Sequence, residues 1–521
     1  MLNASVGRFQ ILFVLLLSAL FSSVGFGATP FGSEPKLGII ISVDQFRADY
    51  LMRFKNKFKG GYQMLLKNGA YFPLADQGLL QNMTGPGHAA ILTGSYPYRN
   101  HIPINAWFDR ETKKKTYCVE DSQVQLIGSE GVQIDSKMGI SPRNLNASTV
   151  GDELKNVDRA SRVISLAIKD RAAVLMGGRR SDATIWYDGK HCEWITSSFY
   201  GKTLPKFALI QNEILAKEKN ESFSWGPFKN ISKCSMEAVP TPWGIQKTFD
   251  LANEAIDELK LGNGKDTDLL LLSLSSHDYL GHRVGPNSPF MEEITLAEDK
   301  ILGEFIKRLA KKVPGGLKNI FFVLTGDHGM VPTALPKDKV ESENILESEV
   351  EKSLEDSLTQ VFGKPKGGKW IEAESEFQFY FNEAALIDKK LKKSDVFQIA
   401  RARLLKERFI DEVWSRDEIL SERKLPPGEL GVIADRTITN RSGDLIPIFK
   451  PYFYSDSYLY THMTHYSYDR YVPLVFMGSR FKPGTYPQIV RVIDIAPTLS
   501  SLLHLIPPSQ SEGRVLTEIL R

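Results

Sequence analysis

The feature that most constrains the fold of this chain is a set of short apolar runs, each of which ends in polar or small residues. The runs are Lys36 to Val43 before Asp44, Leu269 to Leu274 before His277 and Asp278, Asn319 to Leu324 before Asp327 and His328, and Pro473 to Met477 before Gly478. Amphipathic helical stretches separate them, which is typical of a parallel sheet buried on both faces. We therefore predict an α/β fold, a mostly parallel sheet with helices on both faces, with accessory insertions.

Acidic residues and His follow three of these four runs. In open parallel sheets the ligand site lies beyond the carboxyl ends of the strands. Side chains that come directly after several strands are therefore expected to converge on one site at that edge.

The overall composition excludes several classes of protein. The formal charge is +3, from 65 Lys and Arg against 62 Asp and Glu, and 42% of the residues are apolar. A nearly balanced charge without a basic patch argues against nucleic-acid binding, and the composition is that of a globular protein rather than a disordered or multi-span membrane protein.

The first residues have the pattern of an export signal. Arg8 precedes a brief apolar stretch from Ile11 to Leu20, and small residues follow near Gly27. We predict a signal peptide over 1–27 and a mature chain, 28–521, that is periplasmic or secreted without stable membrane insertion. The alternative is an N-terminal membrane anchor, although the apolar stretch is shorter than the ~20 residues that span a bilayer.

Two regions differ in amino-acid composition from the apolar runs and helices around them, and we predict that both are insertions. One, near 336–450, is rich in charged helices, and the other, near 186–243, carries many aromatic residues and two of the three Cys. In an oxidising compartment Cys118, Cys192 and Cys234 allow one disulfide and one remaining thiol, but the sequence does not select the pair. Their spacings match no zinc motif.

The segment from Asn82 to His88 reads NMTGPGH and precedes the apolar residues AAIL. A Thr followed by Gly, Pro and helix formers predicts Thr84 as an N-cap, whose neighbouring backbone N–H groups can receive an anion such as phosphate. Taken alone, the segment favours an ordinary capped helix with a tight Gly turn over an anion site.

Carboxylate and imidazole groups recur at spacings that suit metal ligands. Asp278 and His282 are four residues apart, which brings both to one side of a helical turn. Six of the nine His lie in these few segments: His88, His277, His282, His328, His462 and His465. Mixed carboxylate and imidazole ligands without Cys indicate a borderline ion such as Zn²⁺ rather than Ca²⁺.

At these residues the chain resembles the alkaline phosphatase superfamily, in particular the single-chain bacterial enzymes with a Thr nucleophile, which are related to nucleotide pyrophosphatase/phosphodiesterases. The resemblance runs from about Lys36 to Leu516. It implies a phosphoric monoester hydrolase with two Zn²⁺ per chain that acts on small-molecule phosphate esters through a phosphothreonine intermediate. We expect this enzyme to be a monomer.

The resemblance also implies a role for each matching residue. One zinc would be held by Asp44, Asp327 and His328 beside the nucleophile Thr84, the other by Asp278, His282 and His462, and the phosphoryl group would be bound by Asn105, Lys169 and Arg171. His465 is a rival to His462, although the spacing to Tyr468 and Asp469 favours His462. Lys169 and Arg171 are two residues apart, so on a strand they would face the same side.

The two cations favour monoesters over diesters. With Lys169 and Arg171, two zinc ions, three Asp, a Thr84 alkoxide and a monoester dianion, the formal charges cancel, whereas a diester carries one negative charge fewer. The nearest alternative is a phosphodiesterase or nucleotide pyrophosphatase with the same metal sites. An inactive binding protein that kept the fold is a further alternative, but none of the six ligand positions is missing. A sulfatase is disfavoured because Thr84 replaces the Cys or Ser that its nucleophile requires, and no complete P-loop motif supports a kinase.

Overall fold

A computed structural model describes residues 34–132, 138–332, 347–452 and 460–521. The predicted signal peptide, 1–27, lies outside the described residues. Within those ranges we find no helix that has both the length and the apolar character needed to cross a membrane.

The predicted α/β fold with a mostly parallel sheet is confirmed. The central sheet of the described chain has twelve strands, and five adjacent ones are parallel. In spatial order these five are Ile320–Gly326, Leu37–Val43, Asp268–Leu274, Val163–Ala167 and Ala183–Asp188. The sheet continues on one side through Tyr471–Met477, Gly69–Asp76 and Gly484–Thr485, with Val490–Arg491 also on Gly69–Asp76, and on the other through Glu193–Ser197, Leu126–Gly128 and Gly131–Val132.

One of the four apolar runs does not belong to the parallel set. Tyr471–Met477 pairs antiparallel with Ile320–Gly326, so its carboxyl end lies at the opposite edge of the sheet. An antiparallel strand can be as apolar as a parallel one when both faces are covered, so the run itself carried no signal of its direction.

Alternating residues of the strand Leu37–Val43 pack into two different hydrophobic cores. Ile39 and Ile41 pack into a large core under the helices on one face, and Ile40 packs into a second core on the other face. All seven residues of Leu37–Val43 are buried. The helices that cover the two faces include Gly61–Asn68, Lys206–Glu218, Pro242–Leu259 and Pro289–Lys312 on the first, and Thr84–Thr93, Val150–Val157, Asp170–Gly177 and Ile495–Leu502 on the second.

The region predicted as an insertion near 336–450 builds its own layer from residue 347 onward. It has a four-stranded sheet and a separate apolar core. The strands, in spatial order, are Ile371–Ser375, Gln378–Phe381, Leu445–Phe449 and Ile410–Ser415, and the helices are Glu347–Phe362, Glu383–Lys389, Lys393–Leu404, Arg416–Leu420 and Gly428–Thr437.

The region near 186–243 begins inside the main sheet, because Trp186 lies in the strand Ala183–Asp188. Beyond the next strand it forms the helix Lys206–Glu218 and a two-stranded ribbon, Ser222–Trp225 and Phe228–Ser232. A disulfide joins Cys192 and Cys234, and Cys118 is a buried free thiol. One bridge and one thiol is the arrangement that the sequence allowed, and the structure supplies the pairing.

Candidate active site

The register of three parallel strands brings two predicted ligands to one level. Val43 pairs with Leu274 on one side and with Gly326 on the other. The next residues, Asp44 and Asp327, therefore leave neighbouring strands at the same edge of the sheet. This is the convergence that the sequence predicts for the carboxyl ends of parallel strands.

The first ligand group consists of Asp44, Asp327 and His328, whose ligand atoms lie within 4.8 Å of one another. His328 Nε2 is 3.5 Å from Asp44 Oδ1 and 3.4 Å from Asp327 Oδ2. The His328 Nδ1 donates to the carbonyl of Gly329 at 2.9 Å, which directs Nε2 toward the carboxylates. All three side chains are completely buried.

The second group centres on Asp278. In the helix Ser276–Val284, His282 Nε2 lies 3.1 Å from Asp278 Oδ1, as the spacing of four predicts, and His462 Nε2 lies 3.8 Å from the same oxygen. Both imidazoles donate from Nδ1 to a backbone carbonyl, His282 to Tyr460 and His462 to Asn82, each at 2.6 Å. His328 also contributes, because Asp278, His328 and His462 form a compact set within 4.8 Å, with the His328 and His462 rings 3.7 Å apart.

The charge states of three of these groups, but not of Asp44, suit metal ligands. Burial lowers the pKa of His328 and, more strongly, that of His462, so both imidazoles are neutral with a lone pair to offer. Burial opposes ionisation of Asp278, but the charges of His282 and Lys169 outweigh it and hold the Asp278 pKa well below its usual range. For Asp44, burial and the adjacent Asp327 carboxylate raise the pKa.

Two buried atoms of the first group test whether a cation fits there. Asp44 Oδ1 and His328 Nε2 make no hydrogen bond with any described residue. Buried polar atoms without a partner are costly, and a metal ion satisfies a carboxylate oxygen and an imidazole nitrogen together. The two groups are therefore candidate metal centres.

Thr84 lies beside these centres, but it is not the helix cap that the sequence predicts. Met83 has the extended N-cap conformation, no side chain caps this end, and Thr84 is the first residue of the helix Thr84–Thr93. The Thr84 hydroxyl instead receives hydrogen bonds from Lys169 Nζ at 3.3 Å and Arg171 Nη2 at 3.4 Å. A hydroxyl that faced its own helix end would be less accessible to a ligand.

Lys169 and Arg171 converge, although not as residues of a strand. The strand ends at Ala167, Lys169 occupies the extended N-cap of the next helix, and Arg171 lies in the first turn of Asp170–Gly177. Lys169 Nζ is also 2.6 Å from Asp44 Oδ2 and from Asp278 Oδ2. Burial disfavours the Lys169 charge, but the Asp278 and Asp44 carboxylates outweigh it and raise the pKa. The predicted strand was wrong because the strand ends at Ala167, although Ile168 continues the apolar run, and the next helix begins at Asp170.

Asn105 lies next to the turn that carries Thr84. Its Oδ1 accepts the backbone N–H of Gly85 at 2.8 Å. The amide oxygen is thereby anchored, and Nδ2 is the group with which Asn105 can donate to a ligand. A Cβ on Gly85 would lie 2.9 Å from this oxygen, so the absence of a side chain allows the close approach.

Two residues outside the predicted ligand set contact this site. His88 Nδ1 lies 2.9 Å from the Thr84 carbonyl and 3.2 Å from Asp327 Oδ2, and its Nε2 lies 2.9 Å from Ser273 Oγ. The spacing of four between Thr84 and His88 on one helix is a signal that could have found this contact. Tyr117 Oη accepts from Arg171 Nη1 at 3.1 Å and donates to Asp170 at 2.6 Å. No motif around Tyr117 predicts these contacts.

Three other His do not belong to the candidate metal groups. The His465 ring packs on Tyr466 with centroids 4.2 Å apart, so the geometry favours His462 over its rival. His277 contacts Thr295 Oγ1 at 3.1 Å. His101 adopts a left-handed conformation after the helix Pro97–Asn100.

The sequence pattern of the type I phosphodiesterase / nucleotide pyrophosphatase family matches residues 38–468. The chain belongs to this family. Among its relatives is the alkaline phosphatase PafA of Elizabethkingia meningoseptica, 32% identical over 97% of this chain and 98% of the relative. The alkaline phosphatase PhoV of Synechococcus elongatus is also 32% identical, over 94% of each chain.

A solved structure agrees with this assignment. The crystal structure of wild-type PafA has a TM-score of 0.85 with this chain at 31% identity, covering 94% of this chain and all of the other. The predicted resemblance to the alkaline phosphatase superfamily is confirmed. The predicted enzyme class, phosphoric monoester hydrolase, is confirmed as well. The residues brought together at the strand ends are the residues on which that resemblance rests.

Proposed function

We propose that the protein hydrolyses phosphate monoesters by transferring the phosphoryl group first to Thr84 and then to water. The observation that carries the proposal is the convergence of Lys169 Nζ and Arg171 Nη2 on the Thr84 hydroxyl, at 3.3 and 3.4 Å. Two fixed cations at the attacking oxygen provide charge for a dianionic ester, which a diester needs less.

We also propose two zinc ions per chain as the cofactor. Asp44, Asp327 and His328 would hold one beside Thr84, and Asp278, His282 and His462 would hold the other. The donor set of carboxylate oxygens and imidazole nitrogens supports zinc. When bound, such a metal pair supplies positive charge for the attacking and leaving oxygens of an in-line displacement.

The side chains divide the work of the reaction as follows. The Thr84 hydroxyl loses its proton to solvent and its oxygen donates an electron pair to phosphorus. The bond from phosphorus to the leaving oxygen breaks, and the leaving group departs with that electron pair and takes up a proton from solvent. Water then attacks phosphorus from the side opposite Thr84 and loses a proton, and the Thr84 oxygen leaves and regains one. Lys169 and Arg171 balance the phosphoryl charge throughout, Asn105 Nδ2 can donate to one of its oxygens, and the His88 contact with the Thr84 carbonyl holds the helix turn.

A phosphodiesterase is the second candidate, because the matching family is described by that activity. The two candidates are separated by kcat/KM for an aryl phosphate monoester and for the matching methyl aryl diester, measured on zinc-loaded protein. We expect the monoester to be much the better substrate. A higher value for the diester would refute the monoesterase proposal.

The role of Thr84 is tested by trapping the phosphoenzyme after acid quenching. Thr84→Ala should abolish the covalent intermediate, whereas Thr84→Ser retains a hydroxyl at the same position and should still form one. Retention of the intermediate in Thr84→Ala protein would show that another group is the nucleophile.

Export and oligomeric state are proposals that rest on the sequence alone. We propose that the signal peptide is removed and that the enzyme acts as a monomer in the periplasm or outside the cell. N-terminal sequencing of the mature protein and its mass in solution test both statements.

A further inference from the structure

A cavity of about 410 Å³ adjoins the two cations of the site. Its volume lies within the range of small-molecule sites. The residues on the inner side belong to the site, and those on the outer side belong to the strand after Gly178 and to the loop after the ribbon. The inner side includes Lys169, Arg171 and Tyr279, and the outer side includes Trp186, Tyr187 and Met236.

The sheet register fixes the distance between the two sides. Trp186 pairs with Ala167, which comes two residues before Lys169. Lys169 Nζ in turn lies 5.2 Å from the centroid of the Tyr279 ring. The cavity therefore begins at the groups that face Thr84 and continues outward along buried aromatic side chains.

The outer side is held in place covalently. The disulfide between Cys192 and Cys234 connects the segment after Tyr187 with the loop that carries Met236. Tyr187 Oη donates to the Cys234 carbonyl at 3.4 Å, and the Met236 side chain covers Gly189, where a Cβ would lie 2.3 Å from Met236 Sδ. These links hold the backbone near Met236, whose side chain is 38% exposed, so binding a ligand has to order less of this loop.

We propose that this cavity binds the aromatic part of the leaving group of a monoester whose phosphoryl group lies at Thr84, Lys169 and Arg171. The proposal rests on the proposed function and adds a substrate class to it. The charged side of the cavity suits the phosphoryl group, and the side formed by Trp186 and Met236 suits an aromatic ring through apolar, sulfur and edge-to-face contacts. An ester with a small alkyl group would leave that side empty.

Binding of two non-hydrolysable phosphonates tests the proposal without turnover. Calorimetry on the zinc-loaded protein should show that 2-phenylethylphosphonate binds about tenfold more tightly than ethylphosphonate. Met236→Trp places a bulky ring in the cavity and should abolish the preference, whereas Met236→Ala should weaken it without filling the space. Met52→Trp is the matched control, because Met52 is 49% exposed and does not line the cavity.

Equal affinity of the two phosphonates for the unmodified protein, or a preference that survives in Met236→Trp protein, would overturn the proposal. Thermal unfolding of each variant confirms that it is folded. Turnover separates this proposal from the one on which it rests. If neither 2-phenylethyl phosphate nor ethyl phosphate is hydrolysed, the monoesterase proposal is refuted as well, whereas equal kcat/KM for the two esters refutes the aromatic pocket alone.

Discussion

Removal of the Arg171 guanidinium is the perturbation that most directly tests the preference for monoesters. Arg171 donates from Nη2 to Thr84 Oγ1 and from Nη1 to Tyr117 Oη, at 3.4 and 3.1 Å. Burial disfavours its charge, but Tyr117 and Asp170 outweigh it and raise the pKa of the guanidinium. Arg171→Ala therefore removes a permanent charge beside Thr84 and leaves the proposed metal ligands in place.

The size of the effect follows from the hydrogen bonds that a guanidinium can make to a phosphoryl group. A hydrogen bond to a charged group contributes about 1.5–3 kcal/mol, so a bidentate contact contributes about 3–6 kcal/mol. Since each 1.4 kcal/mol is a factor of about ten, kcat/KM for a monoester should fall by about 10²- to 10⁴-fold. A diester, with one negative charge fewer, should lose about tenfold or less.

The assay measures kcat/KM for an aryl monoester and its methyl diester with three variants. Arg171→Ala should lower the ratio of monoester to diester activity by at least about tenfold. Arg171→Lys retains the charge without the bidentate geometry and should recover part of the loss. Tyr117→Phe removes a contact that orients the guanidinium and should give a smaller loss in the same direction.

An unchanged ratio would refute this reasoning. If Arg171→Ala lowers both activities equally in a folded protein, Arg171 does not recognise the second negative charge of the monoester. Unfolding curves of the variants exclude a general loss of structure as the cause.

Four further outcomes are expected. Chelation of bound metal should lower the melting temperature, and zinc should restore it, since ligands that bind only the folded state stabilise it; an unchanged melting temperature would argue against bound metal. Burial raises the pKa of Glu298 to about 8, and its Oε2 accepts a hydrogen bond from Tyr62 at 2.9 Å. The buried, protonated carboxyl of Glu298 contributes to stability below pH 4.5, and this contribution is lost as the pH rises toward 8. Glu298→Gln should therefore be more stable than the unmodified protein at pH 9 but not at pH 4, as measured by urea unfolding. Asp444→Ala should destabilise the protein by about 3 kcal/mol, because this buried carboxylate lies 3.0 Å from Arg416 and 3.2 Å from Arg110; a change below about 1 kcal/mol would contradict it. Replacing Cys192 and Cys234 by Ser should lower the free energy of unfolding by about 2–4 kcal/mol. A reductant should destabilise the unmodified protein in the same way, and Cys118→Ser should not reproduce that loss of stability.

The sequence predicted the parallel part of the sheet because buried parallel strands require continuous apolar runs. It predicted the placement of Asp44 and Asp327 for a related reason, since both follow such runs directly. The direction of Tyr471–Met477 was not predictable from its apolar residues, because a covered antiparallel strand has the same pattern. The end of the strand predicted to carry Lys169 and Arg171 was also misplaced, because the strand ends four residues before Arg171.

Local spacing was informative where one helix carries both partners. Asp278 and His282 are neighbours because four residues make about one helical turn. His462 and Asn105 have no such relation to the residues they approach. His462 reaches Asp278 only because a loop far along the chain returns to the strand ends, and its ring is fixed by the carbonyl of Asn82.

By itself, the sequence determined the α/β fold, the edge of the sheet at which the site forms, and the residue types that bind a metal or a phosphoryl group. Only the tertiary structure determined that Lys169 and Arg171 meet at Thr84, that His88 and Tyr117 orient the site, and that Cys192 pairs with Cys234 beside a cavity. The physical reason is the separation along the chain over which each kind of signal acts. Apolar periodicity and helical spacing act over a few residues, whereas these contacts join segments that are distant along the chain and that only the packing of the sheet and its insertions brings together.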